Sequence, residues 1–237
     1  MNLFAIPSPS SLWTTLHPIP HNNLTIFEEV INKTTYASIP NLLNWETAHE
    51  PNGNSDPLDA AQSTCDLIYK LDGYHPVSTV LNCQDYNFSP YINGADIVLY
   101  YANLIGINTT FSPMWHTVCT LDFGHCGCDN CKGTLYDVRA RVQTFKDRLN
   151  ILGFDRTKSV WTMPQAFGSG AYRNTAPTGQ HWAALGFTSF NHGALGRLCD
   201  VPDMNKTDLR RQRGRNQLVH EQEAVLVGKI GKVAHRP

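Results

Sequence analysis

An α/β fold built on a parallel sheet is what this sequence predicts, and three observations predict it. Helix-like and strand-like segments alternate at least four times through the middle of the chain, the pattern of βαβ units. One strand candidate, Ala95 to Tyr101, is an almost unbroken apolar run, which fits a strand buried on both faces. No G-x-G-x-x-G or G-x-x-x-x-G-K-[ST] motif marks the sheet as a nucleotide-binding one. A (β/α) barrel of TIM type and an open doubly wound sheet both fit. About five strands are visible, too few for a closed eight-stranded barrel, so a barrel here is a partial one.

The elements follow in order. Residues 1–40 read as an irregular Pro- and Ser-rich lead-in with a short helix from Leu24 to Asn32. Leu42 to Ala48 is a strand candidate that runs into His49-Glu50-Pro51-Asn52-Gly53. Asp56 and Pro57 suit the start of a helix whose apolar stripe, Leu58, Ala61, Cys65 and Ile68, continues to Leu71. Strands are expected over Pro76–Asn82 and Ala95–Tyr101, with a short helix at Pro90–Ile92 between them. Residues 103–133 form a long cysteine-rich loop. The clearest helix carries Leu135, Val138, Val142, Phe145, Leu149 and Leu152 on one stripe and stops at Gly153. Val160–Met163 is the next strand. Pro177 opens a last helix through Phe190, and Gly193–Cys199 is a final strand candidate. The α/β body spans 41–202, and 203–237 reads as a divergent, basic, disordered tail.

Composition narrows the functional classes. The 237 residues are 41% hydrophobic and 16% charged with a formal net charge of −1, which excludes a disordered chain and gives no field to attract nucleic acid or anionic membrane. No apolar run is long enough to span a bilayer. There are seven cysteines, and N-x-S/T sequons occur at Asn23, Asn32, Asn87, Asn108 and Asn205. Together they point to an oxidising, secretory or extracellular setting. The start, Met1 to Pro7, has neither a charged n-region nor a long apolar stretch, so no signal peptide is expected in it and an N-terminal part is expected to be missing.

Glu50 is the sharpest candidate for chemistry. It ends a strand, and the carboxyl ends of strands hold the active sites of parallel α/β folds. A carboxylic acid there can protonate a glycosidic oxygen. Spacing alone leaves it equally readable as a surface residue beside a turn. Asp85, which follows a strand end, is the best candidate for a second carboxylate, ahead of Asp96 and Asp200. Simple alternation puts Asn44, Glu46, Ala48 and Glu50 on one face, which makes Glu46 an interior carboxylate in need of a partner. Cys119, Cys126, Cys128 and Cys131 have a spacing that zinc can use, with His116 and His125 nearby. Loop-stapling disulfides are favoured, and an odd thiol, Cys65 or Cys199, is left over. Tyr86, Tyr100, Tyr101, Trp115, Phe167 and Tyr172 gather near strand ends, where rings can stack on sugars or simply pack. His181 and His192 are read as structural or solvent-facing.

The stretch Pro40-Asn41-Leu42-Leu43-Asn44-Trp45-Glu46-Thr47-Ala48-His49-Glu50-Pro51-Asn52-Gly53 resembles a strand of fungal secreted proteins related to TIM-barrel glycoside hydrolases, which read PNLLxWYTADEPDG. The similarity continues through DPLDAAQ (56–62), LDGYHPVSTVLNCQDYNF (71–88), GADIVLYYANLIGIN (94–108), CGCDNCKG (126–133), WTMPQAFG (161–168) and NHGALG (191–196), within a span of about two-thirds of the chain. The resemblance implies a partial barrel that begins at its fourth strand, and Glu50 as acid/base. It implies a carbohydrate partner bound by His49, Asn82, Asp85, Tyr86, Tyr101 and Gln165, with no cofactor and no metal. The departures are Glu46 for Tyr, His49 for Asp, Tyr100 and Tyr101 for acidic residues, and Gln165 where the wider clan keeps a nucleophilic glutamate. They imply a decayed site with little or no turnover. The tail, with Arg210-Arg211-Gln212-Arg213-Gly214-Arg215, departs from the family altogether.

Overall fold

The computed structural model describes residues 43–54, 56–112, 116–119, 132–166, 168 and 175–198. The lead-in, the tail, Cys126, Cys128, Cys131, Cys199, Asp200, His125, Trp115, Phe167 and Tyr172 lie outside them. Five strands make one parallel sheet in the order β1 (Trp45–His49), β2 (Val77–Leu81), β3 (Ile97–Tyr100), β6 (Ser159–Thr162), β7 (Gly196–Arg197). Two short strands, β4 (Phe111–Ser112) and β5 (Thr117–Val118), pair as an antiparallel hairpin in the loop after β3. The helices are α1 (Pro51–Asn54), α2 (Ala60–Leu71), α3 (Phe88–Ile92), α4 (Leu135–Ile151) and α5 (Gly179–Asn191).

The strands follow one another in chain order with no reversal, and the helices that pack on the sheet cover one face of it. Trp45 and Val77 meet Cys65 and Ile68 of α2. Leu81, Val98, Tyr100 and Val160 meet Phe88, Tyr91 and Ile92 of α3, Val142, Phe145 and Leu149 of α4, and Leu185 of α5. A doubly wound sheet would reverse its order and carry helices on both faces, so that alternative is excluded for the described elements. The sheet is open: β1 and β7 each pair on one side only.

The opposite, inner face carries Val80, Ile97, Leu99, Tyr101, Met163 and Leu198, all buried. Trp161 also lies on this face and crosses Gly196 of β7, where a Cβ would come 2.5 Å from the indole. Only a glycine admits the ring there.

Several boundaries moved from those the sequence suggested. Helix α2 begins at Ala60 rather than Pro57, because Pro57 to Asp59 form a turn closed by Ala60 N–H to Pro57 O at 3.0 Å. His181 caps α5: its N–H donates to Thr178 Oγ1 at 3.2 Å, and its Nδ1 accepts from Thr178 N–H at 3.3 Å. His192 ends the same helix. Asp137 does the capping work for α4, accepting from the N–H of Thr134 at 2.9 Å and of Lys132 at 3.0 Å.

Candidate functional site

All five strands point the same way, so their carboxyl ends share one rim. Glu50 stands on it immediately after β1, half-buried, with φ +55°, a left-handed conformation that side chains rarely adopt. Its N–H donates to Val80 O at 2.9 Å, which fixes the strained residue to β2. The one-turn helix α1 follows, and Asn52 pins it. Asn52 Oδ1 accepts from the N–H of Asn82 at 3.1 Å and Nδ2 donates to Cys83 O at 3.0 Å. The Asn82 amide lies flat against Gly53, where a Cβ would come 2.5 Å from its nitrogen. Arg141, buried on α4, donates to Asn82 O at 3.0 Å and ties the rim to the helical layer. Left-handed strain at a rim carboxylate costs about 1–3 kcal/mol and persists only where the surroundings impose it, as these contacts do.

The predicted face of β1 needs correction. The pairing with β2 slips between Glu46 and Ala48: Glu46 stands opposite Ser78, Ala48 opposite Thr79, and His49 opposite Val80. Thr47 is the extra residue of a bulge, its hydroxyl turned to Thr79 Oγ1 at 3.0 Å on the helix side. Asn44 and Glu46 therefore share the inner face with His49, while Ala48 does not. Asn44 donates to Ser78 Oγ at 2.5 Å.

Glu46 does have a partner. It is 3% exposed, and its Oε1 lies 2.7 Å from His49 Nδ1. His49 Nε2 in turn meets the Tyr101 hydroxyl, with the two rings edge to face at 5.3 Å. The chain Glu46–His49–Tyr101 thus links β1 to the end of β3 across β2, and no sequence reading had joined these three. The expectation of an interior carboxylate needing a partner was the only signal for it.

The other expected residues fall in different places. Gln165 is fully buried, and both ends of its amide are committed to the backbone of Ile105: Oε1 accepts from N–H at 3.0 Å and Nε2 donates to O at 3.1 Å. Asp85 is exposed and ion-paired with Arg148 of α4, beside a groove of about 590 Å³ that Phe88 and Ile151 also line, on the helical side of the sheet. Asp96 precedes β3, at the amino end. It accepts from Val77 N–H at 2.8 Å and the Tyr69 hydroxyl at 2.7 Å, and β3 separates it from the rim by roughly 13 Å. It cannot partner Glu50. Tyr86 is exposed in the turn after β2. Tyr100 points into the helical core rather than the rim; burial pushes its phenol up to about 12, and its hydroxyl meets Ser189 Oγ at 2.6 Å. Cys119 is a free thiol whose Sγ donates to Asn108 O at 3.7 Å, so the disulfide expected at this cysteine is not formed. Among the described residues no cluster of three or more His, Cys, Asp or Glu is arranged to hold a metal ion, and no helix is long and apolar enough to cross a membrane.

No family model matches the chain, and no curated protein matches it significantly. Among solved structures it is similar to a proposed alpha-L-fucosidase from Bacteroides thetaiotaomicron, with 10% identity and a TM-score of 0.49 over 90% of this chain and 67% of that one. It is also similar to a beta-D-glucuronidase from Dictyoglomus thermophilum, with 10% identity and a TM-score of 0.38 over 71% of this chain and 27% of that one.

Proposed function

We propose that this chain is a glycoside-hydrolase-like protein that binds carbohydrate at the carboxyl rim of a partial (β/α)-barrel, with Glu50 as the acid beside the glycosidic oxygen. The observation that carries the reading is the left-handed backbone at Glu50, at the end of a parallel strand and fixed by Val80, Asn52 and Asn82. A glycine would sit there without strain; a carboxylate held there at a cost is a candidate for use. The sequential strand order and the single helical layer support barrel-type winding.

A second reading, binding without turnover, has its own support. The carboxylates expected to complete a glycosidase pair are engaged elsewhere, Asp85 with Arg148 and Asp96 at the opposite end of β3.

The test is a screen of soluble α- and β-glucans and 4-nitrophenyl glucosides for binding by calorimetry and for hydrolysis. Where hydrolysis is found, Glu50→Gln should lower kcat by about 10²–10⁴-fold. Glu50→Gly should abolish it as well and, by relieving the left-handed strain, raise stability by about 1 kcal/mol. Absence of binding across the panel overturns the carbohydrate reading. Turnover that survives both substitutions overturns the site.

A further inference from the structure

Asn108-Thr109-Thr110 has the N-x-T form of an asparagine that accepts an N-linked glycan. Asn108 is exposed, in the loop that leaves the carboxyl end of β3 and just ahead of the β4–β5 hairpin. Its Oδ1 accepts from the Thr110 N–H at 2.9 Å, the Thr110 hydroxyl at 2.9 Å and the Phe111 N–H at 3.1 Å. These bonds close a turn on the asparagine side chain and fix the orientation of its amide. The oxygen end is occupied, while Nδ2 makes no hydrogen bond to the described residues. The flanks of the turn are held too. Gln165 clamps Ile105, and Cys119 N–H donates to Thr110 O at 3.0 Å. Gly106, at φ +73°, lies so close to Thr175 that a Cβ would come 2.8 Å from its backbone nitrogen and oxygen. Thr109 Cγ2 packs over Gly133, 3.1 Å from where a Cβ would stand. A glycan on Nδ2 extends into solvent without breaking any of these contacts.

Asn87-Phe88-Ser89 matches the same pattern and has none of this geometry. Asn87 is half-buried with φ +50°, and its carbonyl opens α3 by accepting from Tyr91 N–H at 3.4 Å. Phe88 is buried in the core, Ser89 lies inside α3, and Pro90 follows it. We infer that Asn108 is a site of N-linked glycosylation and that Asn87 is not. In the step, Asn108 Nδ2 bonds to the anomeric carbon of a lipid-linked oligosaccharide diphosphate. The bond from that carbon to the phosphate oxygen breaks, the lipid diphosphate leaves with the bonding pair, and a proton of Nδ2 passes to a base of the transferase. A sugar carried by the chain is a separate matter from one bound at the rim, so the site stands whether or not the rim binds glucan.

The full chain behind a secretion leader is translated with microsomes, and only the protease-protected fraction, which has entered the lumen, is read. Peptide mapping after peptide N-glycosidase F in heavy-oxygen water should find Asn108 converted to labelled Asp in most of that fraction and Asn87 unconverted. Asn108→Gln and Thr110→Ala should each remove one glycan from the gel mobility. Thr110→Ser should keep it, and Asn87→Gln should change nothing. On the native protein the glycosidase should release the Asn108 glycan without denaturant, because the turn that carries it is exposed. An Asn108 left unmodified in the protected fraction overturns the proposal, and so does a glycan on Asn87. Release from Asn108 only after unfolding overturns the exposed placement on which the site is argued.

Discussion

Replacing Gln165 by Leu separates two roles for a buried amide. The substitution keeps the volume and removes both hydrogen bonds to Ile105. The Ile105 N–H and C=O are then left without those partners in a partly buried loop. Each such loss costs about 1–1.5 kcal/mol at this degree of burial, so the variant should be about 2–3 kcal/mol less stable. Against a typical total of about 5–15 kcal/mol this is a large fraction. In urea it should bring the midpoint down by about 1–1.5 M at an unchanged slope. The loop after β3, which carries the hairpin, is the segment expected to loosen first. A loss under about 0.5 kcal/mol, accompanied by weaker glucan binding, would refute this reasoning and return Gln165 to the role of a ligand contact.

Other outcomes follow from the same geometry. Gly196→Val sets a side chain against the Trp161 ring and should cost about 1–3 kcal/mol in denaturant unfolding; a neutral result would mean that the ring is not where we place it. Burial alone would raise the Asp72 carboxyl, but the hydrogen bonds from the Trp45 indole and from His75 hold it below 3.8. A carboxyl depressed in the folded state contributes stability above the unfolded value, and that stability is lost as pH falls through the folded one. Asp72→Asn should therefore flatten the acid limb below about pH 4, and an acid limb identical to that of the parent would count against the Asp72 cluster. Cys119 is a free thiol, so alkylation before reduction should modify it; recovery of Cys119 only in a disulfide-linked peptide would count against its placement.

The strands were legible because a buried parallel strand leaves a strong mark: β2 and β3 are apolar or small along their length and covered on both faces. The position of Glu50 was legible for the same reason, since the strand before it and the Pro-Asn-Gly after it fix where the rim falls. The company Glu46 keeps was not. Glu46 and His49 are three apart, a spacing that puts side chains on opposite faces of a regular strand. Only the bulge at Thr47 brings them together, and Thr47-Ala48 carries no bulge signal because both residues suit either face. The surroundings of Gln165 and Asp85 were illegible for a different reason. Both follow strands, but which way a side chain turns after the last ladder bond depends on neighbours far along the chain, Ile105 in one case and Arg148 in the other.

The bulge in β1 makes strand pairing, rather than side-chain chemistry, the quantity that decides what the mouth of the sheet presents. If the same residues paired without the bulge, the pleat would alternate strictly from Glu46 onward: His49 would turn toward the helices and Glu50 inward above Glu46, setting two acids side by side where an acid and an imidazole now meet. Removing Thr47 or Ala48 would instead restore a regular pleat that keeps His49 on the face of Glu46, opposite Val80. A deletion here is therefore a milder step than it looks, and a slip of the ladder at unchanged length is the event that would exchange one arrangement for the other.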